Sequence, residues 1–236
     1  MFAGPNGSGK STLIKEISKE CFIGYYINAD DIEKKLNTQN FIDCNEYLPV
    51  QINQADFDEF ITVLVKGDKR ADTEILSQIK ISEGVLVVKN QIDSYIAAII
   101  AEFLRFVLLR CDKSFSFETV MSHPSKLQFL EEVKEKGFKT YLYFISTSDP
   151  SININRVKNR VSKGGHDVDA SKIEARYYRS MELLADAFLI VDRAYVIDSS
   201  VADGRNVMVV KNGDEIKIIN DEIPEWIQFY LLDKIL

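Results

Sequence analysis

The chain has 236 residues, 46% of them hydrophobic, and a formal net charge of −7. That length can bury a full core without covalent staples and reads as a single α/β domain over residues 1–236. The negative charge opposes a polyphosphate backbone, so broad nucleic-acid binding is disfavoured.

The three cysteines, Cys21, Cys44 and Cys111, are odd in number and far apart, and none stands near His123 or His166. This speaks against a disulfide framework or a zinc site and points to a reducing, cytoplasmic setting. The start lacks a basic region followed by an apolar core, and the apolar stretch Ile96–Leu109 is interrupted by Glu102 and Arg105. Neither a signal peptide nor a membrane span is expected.

Met1-Phe2-Ala3 reads as the end of a buried strand that is short: either little chain completes it or the sequence begins inside it. A glycine-rich loop follows, then Leu13, Ile14 and Ile17 at helical spacing, then a strand at Tyr25–Ile27. From Ile32 to about Gly84 the signal is helical, with Phe57, Phe60, Ile61 and Leu64 on one face, and residues 37–92 are read as a helical insertion. Val85–Val88 is a candidate short strand.

Asp93 can cap a helix carrying Ile96, Ile99, Ile100, Phe103, Leu104, Val107 and Leu108 at core spacing. A strand is expected at Ser114–Glu118, a helix from Pro124 and a strand at Thr140–Ile145. Asp149-Pro150 starts a helix that Gly164-Gly165 stops, and Asp169 caps the next. Residues 150–187 are read as a lid region. A last core strand at Tyr195–Ile197, a hairpin around Asn212-Gly213 and a terminal helix from Pro224 complete the chain. Strands alternating with helices give a mostly parallel central sheet covered on both faces.

Gly4-Pro5-Asn6-Gly7-Ser8-Gly9-Lys10-Ser11 matches the phosphate-binding loop, which makes the fold class a P-loop NTPase or kinase. The glycines let the backbone curl so that N–H groups face phosphate oxygens, and the helix that follows adds its positive end. Gly4 through Thr12 are the candidate nucleotide-binding residues, with Lys10 neutralising the β- and γ-phosphates of ATP or GTP and Ser11 binding Mg²⁺. No Leu-Ser-Gly-Gly signature follows, and Ile218–Glu222 imitates a second acidic strand end only poorly, so a transporter-like ATPase is not expected.

Asn28-Ala29-Asp30-Asp31 follows a strand at the carboxyl edge, where ligands bind. Asp30 can act as a base for a hydroxyl, or both aspartates can serve only the helix start. Glu118 follows another strand and suits a substrate hydroxyl, the metal shell or a helix cap. Arg156, Arg160 and Lys163 share one helix face, either as a solvated surface or as lid cations that close over the transferred phosphate, with Arg176 and Arg179 able to join them. His166 stands where an imidazole can touch substrate or cap the lid helix.

On Gly4–Ser11, Asn28-Ala29-Asp30, Phe117-Glu118-Thr119, and Arg160 through Gly164-Gly165-His166-Asp167 to Arg176-Tyr177-Tyr178-Arg179-Ser180, the chain resembles the zeta toxin family of P-loop kinases. The resemblance implies phosphorylation of the sugar of a UDP-N-acetyl-hexosamine, with Asp30 as general base. It places Glu118, Thr119, His166 and Arg176 at the substrate and Arg156 or Arg160 on the transferred charge. It also implies a small antitoxin protein as partner. Three readings stay open here: a UDP-sugar kinase, a kinase for another small hydroxyl compound or a polynucleotide end, and a nucleotide-dependent switch with slow ATPase activity.

Overall fold

The structure, a computed structural model, describes residues 1–67, 76–89, 92–165, 167–201 and 204–236. Its strands are β1 (Phe2–Ala3), β2 (Tyr25–Ile27), β3 (Phe41–Asp43), β4 (Ile79–Ser82), β5 (Val85–Val88), β6 (Phe115–Thr119), β7 (Tyr141–Ser146), β8 (Arg193–Asp198), β9 (Asn206–Asn212) and β10 (Glu215–Ile218). The main helices are α1 (Lys10–Glu20), α2 (Ala29–Gln39), α3 (Gln54–Gly67), α4 (Ser94–Arg110), α5 (Ser125–Glu135), α6 (Pro150–Val161), α7 (Ala170–Glu182) and α8 (Leu184–Ile190). The chain divides into two compact units, Met1–Cys21 with Glu118–Leu236, and Phe22–Phe117.

In the first unit β1 lies between two parallel neighbours, with Phe2 level with Glu118 of β6 on one side and Tyr143 of β7 on the other. β7 pairs in parallel with β8, and β9 and β10 continue the sheet antiparallel. Side chains on alternate positions decide what each face meets. On one face the rings of Phe2, Tyr143 and Tyr195 stack at successive centroid distances of 4.9 Å. On the other, Leu142, Phe144, Ala194 and Val196 are fully buried, and Phe144 meets Trp226. Trp226 belongs to the expected terminal helix, which is π-helical over Gln228–Leu232.

Two polar clusters stitch the lower ends of β7 and β8. Lys211, almost fully buried, donates to the carbonyls of Phe188, Leu189 and Val191 at 2.7–2.8 Å, which closes the carbonyl end of α8 with a cation. Asp192 accepts from the Thr140 N–H at 2.7 Å and from its hydroxyl at 2.9 Å, and Lys134 donates to the Ile190 carbonyl beside it.

In the second unit β2 pairs in parallel with Phe115–Phe117, and β3, β5 and β4 form a separate antiparallel sheet in that order. α4 is the core element. Its apolar side packs α2 through the buried Ile32 and Leu36 and packs α3 through Phe57, Phe60 and Phe103, whose rings lie 5.1–6.0 Å apart. At its end Arg110 donates to Asp56 at 2.5 Å and to Glu59 at 2.7 Å. Among the described residues no helix is long and apolar enough to cross a membrane.

The expectation of helix from Ile32 to about Gly84 holds for α2 and α3 but not for β3 and β4. Ile79-Lys80-Ile81-Ser82 alternates buried and exposed, the period of a strand, and the two-residue loop Glu83-Gly84 has φ of 50° and 80°. Glu83 is not a residue type that announces a positive-φ turn, so the hairpin signal was half hidden. The expected helices capped by Asp93, Asp149 and Asp169 form as read, each acid accepting from N–H groups of the first turn.

The Thr140 N–H holds the Asp192 carboxyl below the usual carboxylate range, aided by the Thr140 hydroxyl and by Lys134 and Lys211. Its contribution to stability is therefore complete above the unfolded value of about pH 4 and is lost as pH falls through the lower folded value. Urea unfolding of wild type and Asp192→Asn across this range should show a stability gap that is constant at neutral pH and closes in acid. A gap that persists unchanged in acid would mean that the carboxylate charge contributes nothing.

Candidate functional site

α1 begins with Gly9 as its N-cap, no side chain caps its N–H groups, and no acid stands in its first turn. The helix itself therefore supplies neither a cap nor an acid to these N–H groups, which suits an anion site. α2 is the opposite case. The Asn28 side chain accepts from the Asp30 N–H at 3.0 Å, and Asp30 and Asp31 both lie in the first turn. Asn28, rather than either aspartate, is the cap.

The loop from Gly4 to Gly9 joins β1 to α1. Gly4 has φ of 137°, and a Cβ there would stand 2.0 Å from the carbonyl oxygen of Ile145. Gly7 has φ of 76°, with the Asn153 carbonyl oxygen 2.6 Å from the same imagined atom. No residue but glycine fits either place. Lys10 is buried, and its Nζ donates to the carbonyls of Gly4 and Pro5 at 2.9 Å each and lies 3.7 Å from Glu118 Oε1. Ser11 Oγ donates to Glu118 Oε2 at 2.9 Å. The β1–β6 register is what brings Glu118 to this hydroxyl. Thr12 lies exposed in the first turn of α1, and the Thr119 hydroxyl accepts from the Met121 N–H at 3.0 Å.

A hydroxyl beside a carboxylate is a hard oxygen donor set of the kind that holds Mg²⁺ together with phosphate oxygens, so Ser11 and Glu118 fit that ion. Among the described residues no cluster of three or more His, Cys, Asp or Glu side chains could form a larger metal cage.

Asn153 and Ser199 bond to the loop, with Thr147 and Tyr177 behind Asn153, and the sequence reading named none of them as site residues. Asn153 stands one helical turn before the buried Val157, so a polar residue on the inward stripe of α6 was the available signal. Ser199 follows the last core strand, the kind of sheet edge where ligands gather.

α6 carries Arg156 and Arg160 as expected. Arg156 Nη2 donates to the Ser199 carbonyl at 2.7 Å and to the Val201 carbonyl at 3.3 Å, so its guanidinium is engaged. A cleft of about 470 Å³ brings Arg156, Asn159, Arg160 and Lys163 together with Gly164 and Gly165. Arg176 and Arg179 lie on α7 and do not line it. His166 lies outside the described residues. Asp30 and Asp31 are exposed on α2 in the second unit, where Asp31 but not Asp30 borders a concavity shared with Tyr26, Lys34, Lys35 and Tyr47. Ile218 and Ile219 are exposed, in keeping with their reading as surface rather than as a second acidic strand end.

No family model matches the chain. An uncharacterized protein of Haemophilus influenzae is 35% identical over 63 residues, 27% of this chain and 45% of that protein, so the chain spans less than half of that relative. A chain of the crystallised complex AvrRxo1-ORF1:AvrRxo1-ORF2 with sulphate ions has a TM-score of 0.56 and 14% identity over 95% of this chain and 62% of that one. The same complex with ATP gives 0.54, with 14% identity over 93% and 60%. The likeness shows a shared α/β fold with a mostly parallel sheet, and this chain spans under two thirds of those structural relatives.

Gly4→Ala should be the most damaging single-atom-scale change in the loop, because the methyl group meets backbone rather than a movable side chain. The expected loss exceeds about 4 kcal/mol or abolishes soluble protein, whereas Thr12→Ala, at an exposed site, should stay within about 0.5 kcal/mol. Thermal unfolding of both variants checks this, and near-equal midpoints would contradict the close packing at Gly4.

Proposed function

We propose that the chain is a phosphotransferase that moves the γ-phosphate of ATP or GTP onto a hydroxyl of a small molecule, with a UDP-N-acetyl-hexosamine as the leading acceptor. The observation that carries the reading is the assembly of a helix N-terminus with no cap or acid of its own, Lys10, Ser11 and Glu118 around one glycine-rich loop. The fold shared with the AvrRxo1-ORF1:AvrRxo1-ORF2 complexes, one of them solved with ATP, supports it. Those structures are two-component assemblies, which supports a small antitoxin-like protein as a partner here.

In this reading Lys10 leaves the Gly4 and Pro5 carbonyls for the β- and γ-phosphates, while Ser11 and Glu118 hold Mg²⁺. The ion, when bound, neutralises charge on the phosphates. Glu118 is thus better suited to the metal than to the sugar, since its carboxylate already meets Ser11. Asp30 accepts the proton of the attacking hydroxyl as the new bond to phosphorus forms. Arg156 and Arg160 are the two lid arginines proposed for the transferred charge, and the Arg156 guanidinium also binds the Ser199 and Val201 carbonyls.

Incubation of the protein with ATP and UDP-N-acetylglucosamine, followed by phosphorus NMR, should show a phosphorylated sugar. Asp30→Asn should lower kcat by roughly 10² to 10⁴ with little change in ATP affinity, and Asp31→Asn should do much less. Release of free phosphate alone would remove the acceptor and favour a nucleotide-dependent switch. Full activity in Asp30→Asn would remove the base.

Lys10→Ala should keep the fold and lose most ATP affinity in calorimetric titration. Equal ATP binding by variant and wild type would end the P-loop reading itself.

A further inference from the structure

The loop is held from outside as well as by Lys10. Asn153 Nδ2 donates to the Asn6 carbonyl at 2.6 Å, while Asn153 Oδ1 accepts the Thr147 hydroxyl. Thr147 is fixed in turn, since its carbonyl accepts the Tyr177 hydroxyl at 2.7 Å. On the other side Ser199 Oγ donates to the Ser8 carbonyl at 2.7 Å, with the Ser146 carbonyl next nearest at 3.2 Å. Arg156 Nη1 donates to Ser199 Oγ at 3.3 Å and braces Ser199 from α6. Asn153 and Ser199 are 0% and 3% exposed, so neither side chain touches solvent or an entering ligand.

A peptide unit is planar and trans, so its carbonyl and the N–H of the next residue point in opposite directions. Fixing the Asn6 carbonyl therefore aims the Gly7 N–H, and fixing the Ser8 carbonyl aims the Gly9 N–H. Both aimed residues are glycines at positive φ, the residues with most backbone freedom to lose. A loop of this composition left to itself would have to be ordered by the phosphates.

We propose that Asn153 and Ser199 are positioning residues for nucleotide phosphates: they hold alternate loop carbonyls from behind so that the Gly7 and Gly9 N–H groups are aimed before the ligand arrives. Arg156 acts in the same device through Ser199. The proposal rests on the nucleotide-binding reading above and assigns roles to residues that reading does not use.

The test compares wild type with Ser199→Ala, which removes only the hydroxyl, and with Asn153→Asp, which keeps the acceptor for Thr147 but replaces the donor. Thr140→Val, at the opposite end of β7, serves as a control that loses hydrogen bonds to Asp192 far from the loop. Amide hydrogen exchange by NMR on nucleotide-free protein should show faster exchange at Gly7 and Gly9 in the two loop variants. ATP titration should show Kd raised roughly two- to tenfold for Ser199→Ala and more for Asn153→Asp, the range expected for one or two lost hydrogen bonds. At saturating ATP, kcat should stay within about threefold of wild type, which separates an effect on binding from one on chemistry. Thr140→Val should melt earlier with wild-type Kd. Unchanged exchange and Kd in both loop variants, or equal weakening in Thr140→Val, would overturn the proposal. Wild-type protein that binds no ATP would overturn the nucleotide reading and this one with it.

Discussion

The passage of the Gly4 backbone against the Ile145 carbonyl, with no room for a side-chain atom, is the constraint on which the site depends. β1 is only two residues long, yet it is clamped in register between β6 and β7, so the chain leaves the sheet at a fixed height. The turn that follows must curl at once, and glycine is what permits it. Lys10 then closes the turn by reaching back to the Gly4 and Pro5 carbonyls. A strand end, a loop and a helix start become one rigid object before any ligand is considered.

Charge is distributed with the same economy. α1 begins without a cap or an acid, whereas α2, α4, α6 and α7 each begin with a side chain that accepts from first-turn N–H groups. An uncapped N-terminus is a cost in an ordinary helix and an asset where an anion belongs. The carboxylate of Glu118 lies close enough to Lys10 and Ser11 to balance them and is not displaced into the core. At the far end of the same sheet Lys211 binds backbone carbonyls and Asp192 binds Thr140 with Lys134 beside it, and there the charges serve packing.

The second unit shows how a helix can be central without being a membrane span. α4 buries Arg105 with its guanidinium over the Phe117 ring at 4.7 Å, and it surrenders its last turn to the ion pairs of Arg110. Of the charges that interrupt its apolar pattern, Arg105 is thus accommodated by an aromatic ring, while Arg110 just beyond that stretch meets two acids of α3. Burial of the Arg105 guanidinium works against its charge, and the neighbouring Glu102 works for it.

Local pattern determined much of this protein. The Gly4–Ser11 signature, the apolar stripe of α4, the capping acids Asp93, Asp149 and Asp169 and the parallel strand at Tyr141–Ser146 are each set by residues close together in the chain, and each forms where the sequence places it. The hairpin at Glu83-Gly84 was missed because its turn rests on one glycine and an acid of no turn preference. Tertiary structure alone decided the rest. Asn153 lies 147 residues from Asn6, and Ser199 lies 191 residues from Ser8. Arg156, which reads as a lid cation on its helix, spends its guanidinium on Ser199 for the same reason. Hydrogen-bond partners so distant follow from which strands lie side by side, and no local periodicity encodes that.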